Sequence, residues 1–587
     1  MNLIDFFDSV QKLSESLSSE ALQTFVFLQA AKTPAGRRRA FLKMMQEAQD
    51  STSAVKLTAV TAEIKRDLAD MVRAVSAKLE EIALGERCLD SEVDWEQQGG
   101  WYDEDVAFVF SDKEKVLRDI NDALRLIDKC IDCELYDLGY QLAEQIACLE
   151  VCVTGDYFDY SDMPMNLEGL QMYDLIDNPC ADLVAQILYL AYMANDMTER
   201  PAKIYEMMQK LGSFRDDLTA VFREGDEIVS DFTDFLPLWL TYLASLDEER
   251  ADSLLGKGIS LVDDMNFLCT LARDFGLNHP RIYKDLLERF QSADDRGLML
   301  AVGTEAVDRL PVNYVIRSDI ALLTAEIFVK SGRLDQAERF WFEAFQSDSS
   351  IVNYLRLRFS SRDYSRYADR VHAAYVQFYR AISKPCQSYD NYGRHKVAIR
   401  KNNICTSTYV SLLLFEHKFE EAFNLLSPEF FTKSYKAMEI IPLALLFFFQ
   451  GSDLDSGLTA MLNRVISLTR FSAAAYNTGG AKAVKGTDAE VLWNLISRCK
   501  VAAEISESER RRWLEQIEIC ISTEAHRILS NQNRKEYAWA ATFLAALGEV
   551  QESCGQEGGK DILFNRFRAE YPRLIKFKRE ISRYGGR

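Results

Sequence analysis

Between Thr61 and Leu84 the apolar residues Ile64, Leu68, Met71, Val72, Val75, Leu79 and Ile82 step by three or four, with charged residues between them. That rhythm places one apolar stripe on a helix and predicts a single buried face. The same spacing runs along almost the whole chain, and no convincing alternating stretch interrupts it. Glycine and proline, which end helices, number only 27 and 11 in 587 residues. Long helices are therefore favoured over short strands joined by tight turns. The expected fold class is all-α.

A chain of 587 residues exceeds what one hydrophobic core usually supports, so several domains or a repeat array are expected. Breaks in the helical rhythm suggest where they lie. An N-terminal helical region covers 1–87. An acidic linker covers 88–113 and holds Gly99, Gly100, Trp95 and Trp101. A helical-repeat region covers 114–471. A flexible linker covers 472–488, SAAAYNTGGAKAVKGTD, which is small, glycine-containing and without an apolar period. A C-terminal helical module with a basic end covers 489–587. Shorter breaks fall at 154–177, 383–392 and 551–560.

The unit Ala321 to Asp348, ALLTAEIFVKSGRLDQAERFWFEAFQSD, resembles a tetratricopeptide repeat. Its small residues Ala325, Ala337 and Ala344 let two antiparallel helices approach, Gly332 sits in the turn, and Phe328 and Trp341 fill the groove to the next unit. Weaker relatives place Ala251, Leu255 and Gly258, then Gly297, then Ala422 at similar positions. Ala251, Gly297 and Ala337 are unevenly spaced, and wider than the ~34-residue tetratricopeptide period. The resemblance therefore implies a degenerate helical-hairpin solenoid, an α–α superhelix with extra helical segments at both ends. Arg534 to Tyr584 is similar to the helical tail of bacterial SWIM zinc-finger proteins, in RKEYAWAATFLAALGEV followed by EYPRLIKFKREISRY. The defining metal motif of that family, C-x-C…C-x-H, is absent from this sequence. The resemblance implies the architecture as a scaffold and does not carry over a nucleic-acid function.

Chemistry is sought next. Cys130, Cys133, Cys148 and Cys152 read C-x2-C-x14-C-x3-C, the outline of two zinc hooks. The flanking helical rhythm, with Val116, Ile120, Leu124 and Ile127 before and Leu142, Ile146, Leu149 and Val153 after, favours one helical hairpin with cysteines in its core. His279, His372, His395, His417 and His526 form no metal-ligand pair. No phosphate-binding glycine loop and no nucleophile elbow occurs. Asp156, Asp159 and Asp162 lack the spacing of a calcium loop. No catalytic residue, cofactor site or metal site is assigned.

Charge is the remaining signal. The net charge of −21 disfavours general nucleic-acid binding unless a basic patch is segregated. Two basic clusters exist: Arg37, Arg38 and Arg39, and the end from Arg566 to Arg587. The latter holds Arg566, Arg568, Arg573, Lys576, Lys578, Arg579 and Arg583 against Glu570 and Glu580. Neutralisation by the chain's own acidic loops is favoured, and docking on an acidic partner or nucleic acid is the alternative. Tyr571, Phe577 and Tyr584 suit a packed helix and a stacking platform equally. The start MNLIDFFDSVQKL lacks the order of a secretory signal. The apolar runs Ile440–Phe449 and Phe235–Leu243 fall short of the ~20 residues of a spanning helix, so no membrane association and a cytoplasmic location are expected. The twelve cysteines are too scattered for a secreted disulfide framework.

The function expected is a non-catalytic helical-repeat adaptor or scaffold that binds another protein in a bacterial signalling, regulatory or defence complex. One alternative is a nucleic-acid-associated regulator acting through the basic C-terminal end. Another is a protein switched by proteolysis at 472–488, releasing a C-terminal module.

Overall fold

The computed structural model describes residues 13, 16–32, 57–93, 108–155, 164–177, 180–212, 218–222, 229, 231–292, 295–383, 402, 404–425, 437–480, 482–503 and 505–585. Arg37, Arg38, Arg39, Asp156, Asp159, Asp162, His395 and the break at 384–392 lie outside the described residues. Helix follows helix through the described chain. The chain divides into two compact units. The first is Met1–Leu246 with Ser253–Asp263, and the second is Asp247–Asp252 with Asp264–Arg587. This division falls inside the stretch 114–471.

In the first unit the long helix Leu57–Ala83 buries Leu68, Val72, Val75, Leu79 and Ile82 along one stripe. Met71, expected on the same stripe, is 44% exposed because it falls one position beside it. The helices Val116–Asp132 and Tyr136–Ala147 form a hairpin. Glu134 takes a positive φ of 57° in its turn, and the Leu135 amide closes on the Cys130 carbonyl at 2.9 Å. Gly139 permits the close packing behind it. A Cβ there would lie 2.8 Å from Leu190 Cδ2 and 3.0 Å from Cys130 Cβ.

The described parts of 88–113, residues 88–93 and 108–113, are not simple linker. Strand β1 (Leu89–Val93) pairs antiparallel with β2 (Phe108–Ser111), and parallel with β3 (Val153–Thr154), in the order β2-β1-β3. LDSEV turns Leu89 and Ser91 inward and leaves Glu92 exposed, the alternation of a half-buried strand. It is too short to stand out against the helical background.

In the second unit the helices Val315–Lys330 and Leu334–Ser347 form a hairpin around Gly332, whose φ of +73° suits glycine at the end of a helix. Ala325, Ala337 and Ala344 are fully buried, and the Phe328 and Phe340 rings meet at 5.2 Å. The helix Arg296–Arg309 packs on this hairpin through Gly303, where a Cβ would lie 2.0 Å from Thr324 Oγ1. Gly297, expected to make that approach, is exposed instead. Residues 440–448 of the apolar run belong to the helix Ala437–Phe448, and its apolar side chains, Phe449 included, are core. Among the described residues no helix is long and apolar enough to cross a membrane.

Candidate docking surface

The four cysteines of the apparent zinc hooks do not converge. Cys130 is fully buried in its hairpin and Cys133 nearly so, while Cys148 is exposed and Cys152 half-buried. Burial pushes the Cys130 thiol up to about 11 and also raises Cys133 and Cys148. A metal ligand needs the thiolate, which these surroundings disfavour. Among the described residues no group of three His, Cys, Asp or Glu side chains is gathered to hold a metal ion. Cys152 has a different neighbour, Cys88, whose amide donates to Glu114 Oε2 at 2.7 Å.

The stretch 472–488 differs from the flexible linker expected. Ser472 caps a short helix, Ala473–Asn477, by accepting from the Ala475 amide. Tyr476 is buried beneath it. The chain then crosses the 315–347 hairpin through Gly479 and Gly480, both with positive φ. A Cβ on Gly479 would lie 2.9 Å from Leu322 Cδ2, and one on Gly480 would lie 2.8 Å from Val329 Cβ. Only glycine combines this conformation with this approach. The Trp341 indole donates to the Gly479 carbonyl at 2.7 Å. The Arg356 guanidinium donates to the carbonyls of Tyr476, at 3.2 Å, and Ala475. Segment 473–480 is thus read through its backbone by buried donors, and glycine composition reflects tight packing rather than freedom.

Arg356 is itself unusual. It is 2% exposed, its acceptors are those two carbonyls and Asn353 Oδ1, and no carboxylate forms an ion pair with it among the described residues. Burial lowers its pKa to about 10, so the group remains a cation at neutral pH. Arg317 contrasts with it, pairing with Glu343 at 2.6 Å. Beside the segment lies a cavity of about 510 Å³ bordered by Ser318, Asn353, Arg356, Asn402 and Thr478. Asp319, Asp348 and Arg470 also border it, so its charge selects no one class of ligand.

The C-terminal helices present a different surface. Tyr537–Ser553, Gly559–Glu570 and Ile575–Ser582 pack through small residues. A Cβ on Gly548 would lie 2.4 Å from Lys560 Cα. Phe577 and Ile581 are fully buried. The Tyr571 hydroxyl lies 2.9 Å from His526 Nδ1, and the Tyr584 hydroxyl lies 2.7 Å from Thr542 Oγ1. Phe577 is thus core, while Tyr571 and Tyr584 are half-buried and tied to the fold through their hydroxyls. Of the basic residues, Arg566 pairs with Glu518 at 2.9 Å and Arg583 with Glu580 at 2.5 Å. Arg568 is half-buried. Arg573, Lys576 and Arg579 are exposed, and Lys578 half-buried, with no ion pair among the described residues. Lys576 and Arg579 lie one turn apart on the last helix, and Arg573 stands in the turn just before it. Ile575, 66% exposed, lies among them.

The histidines are held in packing contacts. His279 is buried on Asp252. His417 takes a positive φ of 59° in a hairpin turn, stacks on Phe419, and is lowered by burial. His372 Nδ1 lies 2.6 Å from the Tyr375 hydroxyl, which donates to Glu416 Oε2 at 2.7 Å. Glu416 also accepts from Tyr364 at 3.2 Å. Burial drives both tyrosines far above their ordinary range, so these hydroxyls stay protonated and clamp helices together.

No family of known proteins and no curated protein matches this chain.

Proposed function

We propose that this chain is a non-catalytic helical-repeat adaptor that docks an acidic protein partner on its C-terminal surface. One observation carries the reading. Arg573, Lys576 and Arg579 stand exposed around Ile575 without a carboxylate partner among the described residues, in a chain of net charge −21. Exposed cations around an apolar anchor suit a partner that supplies carboxylates around an apolar pocket. The burial of Phe577 removes one of the three aromatics on which single-stranded nucleic acid could stack. The test is affinity capture from native lysate with the full chain and with Arg573→Glu/Lys576→Glu/Arg579→Glu. An acidic protein captured by the wild type should be lost at least tenfold in the variant and on raising salt. Equal capture by both chains would falsify the reading. A nucleic-acid gel shift removed by the same three changes would favour the regulator instead.

A second reading, switching by proteolysis, is supported by the exposure of Lys482, Ala483, Lys485 and Gly486. The carbonyls of Ala475, Tyr476 and Gly479 are engaged by Arg356 and Trp341, so cleavage would fall at 482–486 and not at 473–480. Brief trypsin treatment should cut after Lys482 or Lys485 before other loops. First cuts elsewhere, with these bonds intact, count against the switch.

A further inference from the structure

We propose that Cys88 and Cys152 form a reversible disulfide, a redox modification site that clips β1 to β3 in the first unit. Parallel pairing sets Leu89 opposite Val153 and Asp90 opposite Thr154, which places Cys88 opposite Cys152 one step earlier. The Leu89 amide donates to the Cys152 carbonyl at 2.9 Å, so the register holds at that step. Side chains two residues apart on a strand share a face. On this face the next pair already touches, with Thr154 Oγ1 donating to Asp90 Oδ1 at 2.9 Å.

Both cysteines converge on Gly85. The Cys88 thiol lies 3.5 Å from the Gly85 carbonyl, and a Cβ on Gly85 would lie 4.0 Å from Cys152 Cβ. After burial, the Cys152 thiol is the neighbour that acts most on the Cys88 thiol. Paired strands run ~4.8 Å apart, inside the ~4.4–6.8 Å Cα separation that a disulfide spans. Both are free, half-buried thiols, open to a small reagent. The pairing is invisible in the C-x2-C-x14-C-x3-C pattern because Cys88 lies far outside it.

The oxidant is a small disulfide. One cysteine thiolate attacks a sulfur of that disulfide, forms a mixed disulfide and expels one small thiolate. The second cysteine thiolate attacks the protein sulfur and expels the other. In total two protein thiols lose two protons and two electrons, and one small disulfide becomes two small thiols. Burial, with the neighbouring Cys152, pushes the Cys88 thiol up to about 11, so exchange quickens as pH rises toward that value.

The test uses the full-length folded chain in graded mixtures of oxidised and reduced glutathione, quenched by alkylation and mapped by peptide mass. The expected product is one Cys88–Cys152 cross-linked peptide, lighter than the reduced pair by two hydrogen masses. Cys148→Ser should leave it, and Cys88→Ser or Cys152→Ser should abolish it. Mapping of the wild-type chain decides the matter if a serine variant fails to fold. A cross-link of Cys148 to Cys152 or of Cys130 to Cys133 in its place, glutathione adducts at Cys88 and Cys152 without a cross-link, or no cross-link at any ratio each overturns the proposal.

Discussion

Arg356 and the trio Arg573, Lys576 and Arg579 belong to the same unit and meet opposite surroundings. Arg356 is enclosed, and fixed carbonyls of 475–476 take the place of water. The trio is left to water. Local composition suggested the reverse. The glycine-containing stretch was expected to be loose, and the basic end was expected to be neutralised by the chain's own acids. The contrast teaches that a buried cation demands positioned acceptors, because desolvation without them costs several kcal/mol. An exposed cation demands nothing from the fold.

The largest test of that contrast is Arg356→Ala. It leaves two buried carbonyls and Asn353 Oδ1 without their donor, and should cost about 3 kcal/mol of unfolding free energy. Chemical denaturation measures it, and a loss below about 1 kcal/mol would break the comparison. Trp341→Phe is narrower. It keeps an aromatic ring, removes only the indole donor to Gly479, and should cost about 1–2 kcal/mol by the same measurement.

Lys500 stands between the two cases. Its ammonium donates to the Phe449 carbonyl and lies 4.8 Å from the centre of the Trp493 ring. Burial, reinforced by Arg510, holds it down to about 8, from an ordinary 10.5. Below pH 8 both folded and unfolded chains carry the proton, and the folded chain bears the full cost of a desolvated cation. Between pH 8 and 10.5 only the folded chain releases the proton, so that cost fades as pH rises. Lys500→Met should therefore stabilise the protein at pH 7 by about 1 kcal/mol, after allowance for solvent at the half-buried amine, and lose the advantage near pH 10.5. Denaturation curves across that range that run parallel would refute the assignment.

The smallest effect on stability belongs to the exposed trio. Reversing Arg573, Lys576 and Arg579 should leave the thermal midpoint unchanged while abolishing partner capture. A large fall in the midpoint would mean that these cations serve the fold.

Much of the helical architecture was legible, because a stripe such as Leu68, Val72, Val75, Leu79 and Ile82 repeats with the turn of a helix. The turn at Gly332 and the small residues Ala325, Ala337 and Ala344 were legible for the same local reason. The sheet was not, since LDSEV is too brief a pattern and its partner β3 lies some sixty residues away. Gly303 was passed over for Gly297 because spacing shows which glycines exist, and not which one meets Thr324. The candidate surface was legible as a cluster of basic residues. Which of them face a carboxylate was not, since Glu518, the partner of Arg566, sits on another helix.

The sequence by itself determined the helical class, the apolar stripes and the basic end, because these follow from periods and charges within one segment. Only the tertiary structure decided that the carbonyls of 475, 476 and 479 are held by buried donors, that the apparent metal hooks gather no metal-binding group among the described residues, and that Cys88 neighbours Cys152. Each of those depends on groups distant in sequence. Desolvation, hydrogen bonding and contact are settled by which groups meet in space.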